Sequence, residues 1–267
     1  MLDIFGYLGA IITGVSLGLI GGGGSILIVP VLVYLFGTAP SLATAYSLFI
    51  VGLASMVGAV KYAKLGLIEY KTALIFAAPA FLGVYASRRF IVPAIPAEVF
   101  SLGEYVMTKD ALIMTAFALV MLVAAVSMIR KKSDDHQNSP EAVKPNYNYK
   151  MIAVEGLGVG AVTGFVGAGG GFLIIPALVI FAKLPMKMAV GTSLVIISAK
   201  SLLGFLGDLS GSQVIDWFFL ARLSVCAIGG ILIGAYLSKF VPGKKLQPAF
   251  GWFVLVMGTY IMMMQFL

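Results

Sequence analysis

Charge is what this chain has least of. Only 11% of its 267 residues are Asp, Glu, Lys or Arg, where a soluble domain carries about 25%. A folded soluble protein must still solvate its exterior, so the deficit excludes an ordinary soluble domain. One cysteine (Cys226) and one histidine (His136) exclude an internal disulfide. They also lie in unrelated segments, so neither a zinc site with about four N/S ligands nor Cys–His chemistry can be assembled. The glycine runs are not followed by the Lys-Ser/Thr of a phosphate loop, so energy is expected from an ion or substrate gradient or from a partner subunit. No nucleophile with a base and no paired acids stand at depth. The expectation is a non-enzyme without metal or cofactor. The start, MLDIFGYLGA, has no basic n-region and no cleavage motif, so it reads as mature sequence.

What is present is apolar. Hydrophobic residues make up 60% of the chain and the mean hydropathy is +1.04. The apolar runs, at 4–36, 40–60, 71–90, 110–129, 151–182, 186–206, 217–238 and 246–266, are continuous rather than alternating. They suit transmembrane helices and not barrel strands. The sequence therefore predicts an all-α polytopic membrane protein embedded in a lipid bilayer. The net charge of +7 does not call for nucleic acid, because the basic residues cluster in the short loops between spans, where they orient a membrane protein. The longest polar stretch, RKKSDDHQNSPEAVKPNYNYK at 130–150, reads as a linker between two halves.

Those halves are copies. At an offset of 146 (Pro30 to Pro176), GGGGSILIVPVLV at 21–33 falls on GAGGGFLIIPALV at 167–179. The match continues without a gap: Ala43 falls on Ala189, Ser47-Leu48 on Ser193-Leu194, Ser55 on Ser201 and Gly58 on Gly204. Internal duplication of this kind is a signature of secondary transporters.

The glycine runs break both copies at the same place. Glycine costs about 1 kcal/mol per position inside a helix relative to alanine, so four in a row are a deliberate interruption. Segment 4–36 would be about 50 Å long as one helix, against a hydrocarbon core of about 30 Å. A chain that turns at Gly21–Gly24 and returns resolves the excess, and the second copy would turn at Gly167–Gly171. Loop charges favour this. With both segments crossing once, the loop cations divide 8 against 8. With both segments returning as hairpins, they divide 13 against 3, with only Arg88, Arg89 and Lys109 opposite and Lys200 and Arg222 inside spans. The positive-inside rule expects the second.

The predicted architecture follows: two inverted repeats, each a glycine-broken re-entrant hairpin plus three spans. Residues 1–130 form the first (hairpin 4–36; spans 40–60, 71–90, 110–129). Residues 131–150 form a cytoplasmic linker, and 151–267 form the second repeat (hairpin 151–182; spans 186–206, 217–238, 246–266). Both termini are expected to be extracytoplasmic. The two glycine tips, entering from opposite sides, should approach each other near mid-membrane, where irregular backbone is tolerated only inside protein or beside a polar cavity. Helix N-termini near Ser25 and Gly171 would then converge on one place and attract an anion through unpaired donors and dipoles.

The candidate substrate-binding residues are Gly22, Gly23, Gly24 and Ser25 in the first turn, and Gly169, Gly170 and Gly171 in the second. On the following helices they are Ser47, Thr192, Ser193 and Lys200. The hydroxyls could equally bond their own helix backbone. Lys200, whose counterpart is Ala54, could hold the anion or snorkel to the outer boundary. Gly14, Gly18, Gly160 and Gly164, at spacings of four, suit close helix packing. Arg222 is expected to snorkel, and Asp208 and Asp216 to be solvated beside an outer loop. Glu155, near the start of the second hairpin, suggests no defined role.

The double element GGGGSILIVP and GAGGGFLIIP, on an eight-segment chain of this length, resembles the TauE/SafE family across essentially its whole extent. The resemblance implies a plasma-membrane exporter of sulfite or an organosulfonate; the residues themselves imply only a small anion. The expected function is a secondary transporter of such an anion, and the alternative is a gated anion channel built on the same convergent dipoles. The oligomeric state is left open.

Overall fold

In the computed structural model the described residues are 2–102, 105–130, 149–167, 169–180, 182, 184–209, 215–238, 240 and 243–266. All but the last two residues of the expected linker 131–150 lie outside them. Ten helices are present among the described residues, five from each sequence copy. The first five are α1 (Leu2–Ile20), α2 (Gly24–Leu35), α3 (Pro40–Lys64), α4 (Tyr70–Ala94) and α5 (Lys109–Arg130). Their counterparts are α6 (Tyr149–Val166), α7 (Gly171–Ile180), α8 (Met186–Leu209), α9 (Trp217–Leu237) and α10 (Gly243–Phe266). Five described helices are long and apolar enough to cross a membrane: α3, α4, α5, α8 and α9.

Polarity is arranged inside out. Large apolar side chains face outward, including Val154 at 72%, Leu74 and Phe218 at 71% and Val225 at 68% exposure, while Thr44, Ser47, Thr192, Ser193 and Lys200 are completely buried. Lipid solvates the first group, and the second must find partners within the protein. The most enclosed helices are α3 and α8, which pack on each other at the centre.

Within segment 4–36 the chain reverses. The Tyr7 ring near its start meets Phe36 near its end edge-on, with centroids 5.5 Å apart. Farther in, a Cβ on Gly9 would lie against Val31. The return limb is irregular: a 3-10 turn at Gly23–Ile26, one α turn at Ile28–Pro30, then a π segment at Val31–Leu35. The second return limb is an uninterrupted α-helix beginning at Gly171. Both hairpins close with the same backbone bonds, displaced by the sequence offset. Gly21 N–H donates to Leu17 O (2.7 Å) and Gly167 N–H to Thr163 O (2.8 Å); Thr38 N–H donates to Leu32 O (3.0 Å) and Leu184 N–H to Leu178 O (3.1 Å).

The tertiary packing is reciprocal as well. Helix α1 packs on α9 and α6 on α4; α3 packs on α9 and α8 on α4; α5 and α10 pack on each other. The packing expectation for Gly14, Gly18, Gly160 and Gly164 holds. A Cβ on Gly14 would strike Ala227 O and one on Gly18 Ile231 O; one on Gly160 would strike Ala80 O, and one on Gly164 would come 2.8 Å from the Val84 Cα. Helix α3 ends in a Schellman motif, with Gly66 at φ +67°, Leu67 N–H on Tyr62 O and Gly66 N–H on Ala63 O.

Beside the helices, Glu98–Leu102 (β1) and Tyr105–Thr108 (β2) pair antiparallel, irregularly between Glu98 and Phe100. Two expectations need correction. Arg88 is not in an outer loop, because α4 continues through a π segment at Ser87–Ile91 and leaves Arg88 only 1% exposed. Asp208 is not solvated freely, because it lies beside that arginine.

Candidate transport site

The two glycine turns meet. A Cβ on Gly22 would fall on the backbone of Gly171, and one on Gly171 would fall on the backbone of Gly22. Nothing larger than glycine fits either place without separating the turns, which explains these two glycines by close approach. Gly21 and Gly167 have a different reason. Their φ angles are +80° and +74°, a region that L side chains adopt only at a cost, and these residues redirect the chain out of α1 and α6.

Around this junction the hydroxyl groups bond the turn backbone. Ser25 Oγ donates to Gly22 O (2.8 Å), and the Ser25 Cβ lies 3.1 Å from where a Cβ on Gly169 would be. Ser193 Oγ lies 3.2 Å from Gly21 O and 2.8 Å from Val190 O, both acceptors for its one proton. The local alternative for the serines is thus realised, but with the turns as acceptors. Ser47 is buried three residues beyond Thr44, and its Oγ has no hydrogen-bond partner among the described residues. Gly23 belongs to the 3-10 turn. A Cβ on Gly24 would strike Thr13 O, within its own hairpin.

Lys200 does not snorkel. It is fully buried, and its Nζ donates to Thr163 Oγ1 at 2.7 Å. A Cβ on Gly170 would overlap the Thr163 side chain and come 2.6 Å from the Lys200 Nζ. The ammonium therefore stands against the second glycine turn. Thr192 is used elsewhere: its Oγ1 accepts from Glu69 N–H at 3.0 Å and anchors the start of α4. The reciprocal bond exists at the start of α9, where Asp216 N–H donates to Tyr46 Oη at 2.8 Å. Arg222 stays at the exposed surface, its guanidinium 4.3 Å from the Phe218 ring centroid.

A second cation reaches the same turn. Arg88 Nη1 donates to Thr44 Oγ1 (3.0 Å) and lies 3.5 Å from Asp208 Oδ1. A Cβ on Gly167 would overlap the Thr44 side chain and come 2.7 Å from Arg88 Nη2. Neither Arg88 nor Asp208 stood among the expected binding residues. Arg88 looked like a loop cation because it follows a helix of ordinary spanning length and precedes Pro93 and Pro96. Its one sequence signal was the pair Arg88-Arg89 standing almost alone on the poorly charged side.

A protein-family model described as "Sulfite exporter TauE/SafE" matches residues 7–261. The chain belongs to the TauE/SafE family. Membership makes it a multi-pass membrane transporter and not an enzyme. It is similar to a probable membrane transporter protein of Xylella fastidiosa (strain 9a5c), at 29% identity over 94% of this chain and 91% of the relative. It is also similar to two Bacillus subtilis (strain 168) proteins named as probable membrane transporters, YunE and YdhB. YunE is 29% identical over 88% of each chain, and YdhB 24% over 88% of this chain and 90% of its own. No solved structure matches. In this TauE/SafE chain, then, the buried hydroxyls of Ser25 and Ser193 bond the first glycine turn, and the buried cations Arg88 and Lys200 stand against the second.

Proposed function

We propose that this protein is a secondary transporter that carries a small anion, sulfite or an organosulfonate, across the plasma membrane, bound where the two glycine turns meet. The observation that carries the reading is the buried Lys200 ammonium against Gly170, beside the contact of Gly22 with Gly171. A lone buried cation is costly, and such residues mark ion or substrate pathways. An anion entering at the turn would supply its missing counter-charge.

The same reading takes the halves 1–130 and 151–267 as inverted repeats joined by a cytoplasmic linker, with both termini extracytoplasmic. Reciprocal packing of α1 on α9 and α6 on α4 supports this, as do the paired bonds at Glu69 and Asp216. The first of these ties the 65–69 loop to the start of α8, and the second ties the start of α9 to the start of α3, as two returning hairpins require. A carrier is favoured over a channel, because Ser25, Ser193 and Lys200 have no solvent exposure at all. With no phosphate loop in the sequence, the driving force comes from an ion or substrate gradient or from a partner subunit.

Purified protein in liposomes loaded with sulfite tests the function. Saturable efflux and counterflow, both abolished by Gly170→Leu and by Ser25→Asp in protein that still folds, are the expected results. Unsaturated flux with single-channel currents would make the protein a channel. Wild-type flux in both variants would reduce the turns to packing elements.

A further inference from the structure

We propose that Arg88 binds the anion directly, and that the edge formed by its Nε and Nη2 takes two oxygens of one oxyanion group. The inference rests on the anion-transport reading and narrows it to ligands with two oxygens on one atom: sulfite, sulfonates or carboxylates, and not halides.

The geometry divides the guanidinium in two. Nη1 is occupied, donating to Thr44 and facing Asp208. Nε and Nη2 are buried and have no hydrogen-bond partner among the described residues. Together they form the side-on edge with which arginine grips a carboxylate or another planar pair of oxygens bidentately. A guanidinium that is 1% exposed leaves two donors unpaired only at substantial cost, so a ligand that pairs both has a reason to bind.

Asp208 is a loose partner. Its contact to Nη1 is 3.5 Å, well beyond the usual length of a charge-assisted N–H···O bond, and its Oδ2 has no partner among the described residues. It partly neutralises the arginine from one side without taking the bidentate edge. Room for the edge comes from Gly167, where a Cβ would come 2.7 Å from Nη2. The backbone around Arg88 is a π segment, Ser87–Ile91, a local form that recurs at functional sites. At the first turn the corresponding helix carries Ala235, since Gly83 and Gly230 occupy matching contacts on α6 and α1. Arg88 is therefore not a general requirement of the scaffold.

The test uses the full chain in lipid nanodiscs, titrated with methanesulfonate, sulfite and chloride at fixed ionic strength. Thermal melting and calorimetry are the readouts. Methanesulfonate and sulfite should raise the melting temperature of the wild type and chloride should not. Arg88→Lys keeps the charge but loses the bidentate edge, and should weaken methanesulfonate binding at least about tenfold. Asp208→Asn removes the competing charge and should tighten it by about threefold or more.

Unchanged affinity in Arg88→Lys, equal stabilisation by chloride, or no oxyanion response in the wild type would each overturn the inference. If Arg88→Lys does not fold, Asp208→Asn decides: weaker or unaltered binding makes the pair a structural tie between α4 and α8. Sulfite flux in liposomes separates the two readings. Wild-type flux retained in Arg88→Lys, with unaltered affinity, sinks only this inference. Arg88-dependent binding without any flux sinks only the transport assignment.

Discussion

The two glycine turns occupy matching positions in the two similar stretches of sequence and end with the same backbone bonds, yet their surroundings differ in charge. At the first turn, Gly21 rests on Val190, and Gly24 rests on the backbone of Thr13 and Leu17. At the second, Gly167 rests on Thr44 and Arg88, and Gly170 on Thr163 and Lys200. Position by position, Leu17 becomes Thr163, Ala54 becomes Lys200, Val190 is answered by Thr44, and Ala235 by Arg88. The first turn meets an apolar side chain, neutral backbone and the hydroxyls of Ser25 and Ser193, and the second meets two cations. The shared residues of the two turns account for the common geometry, and residues present on one side only account for the charge. A perfectly symmetric site would place cations at both turns, doubling the desolvation cost and repelling across the contact. One charged turn against one neutral turn avoids both.

The most damaging way to break the comparison is to separate the turns. Gly22→Leu drives a side chain into the Gly171 backbone, which cannot move aside as a flexible side chain could. It should cost about 3 kcal/mol, at the upper end for overpacking, and abolish transport. Thermal melting and liposome flux check both.

Making the second turn resemble the first is the next test. Thr163→Leu combined with Lys200→Ala exchanges a buried ammonium for the apolar pair already accommodated at the first turn. Because replacing buried charge with well-packed apolar groups is often neutral or stabilising, melting should move by no more than about 1 kcal/mol. Sulfite flux should fall at least about tenfold, equivalent to about 1.4 kcal/mol. A variant that melts early and transports normally would assign Lys200 to the fold.

Smaller effects distinguish the two starts of α4 and α9. Asp216 caps α9 by accepting from Phe219 N–H at 2.9 Å, so Asp216→Ala should cost about 1 kcal/mol. Glu69 makes no side-chain cap, and Glu69→Ala should stay within about 0.5 kcal/mol of wild type. Smallest of all, Gly158→Ala and Gly229→Ala lie within helices and would meet nothing within 4 Å. Each should gain about 0.5 to 1 kcal/mol from helix propensity, in contrast to the glycines at the turns.

Much of this arrangement was legible in the sequence. The offset of the two similar stretches pairs their glycines, and loop charge argued for a turn in segment 4–36, within which Tyr7 meets Phe36. Helix limits were close, since apolar length is a strong signal. The second helix start at Gly171 was legible because an α-helix begins there. The 3-10 turn and the π segment within the first return limb were not legible, because they leave no periodicity to read. Lys200 announced itself as a charge within an apolar run, but its partner Thr163 did not, because that bond joins residues 37 positions apart. Arg88 and Asp208 sat near predicted span ends, where charge is ordinary. Only packing turns those ends inward. The β hairpin at 98–108 was overlooked among the stronger signals of the helices around it.

Cross-linking across the junction tests the meeting of the turns most directly. In a Cys226→Ser background, Ser25→Cys and Gly169→Cys bring their Cβ atoms to about 3.1 Å, a few tenths of an ångström inside the usual disulfide range of roughly 3.5–4.5 Å. Mild oxidation of the folded, purified protein should yield an intramolecular disulfide joining the two peptides, detected by mass spectrometry after digestion. Two persistently free thiols in folded protein would mean that the broken helices do not come together.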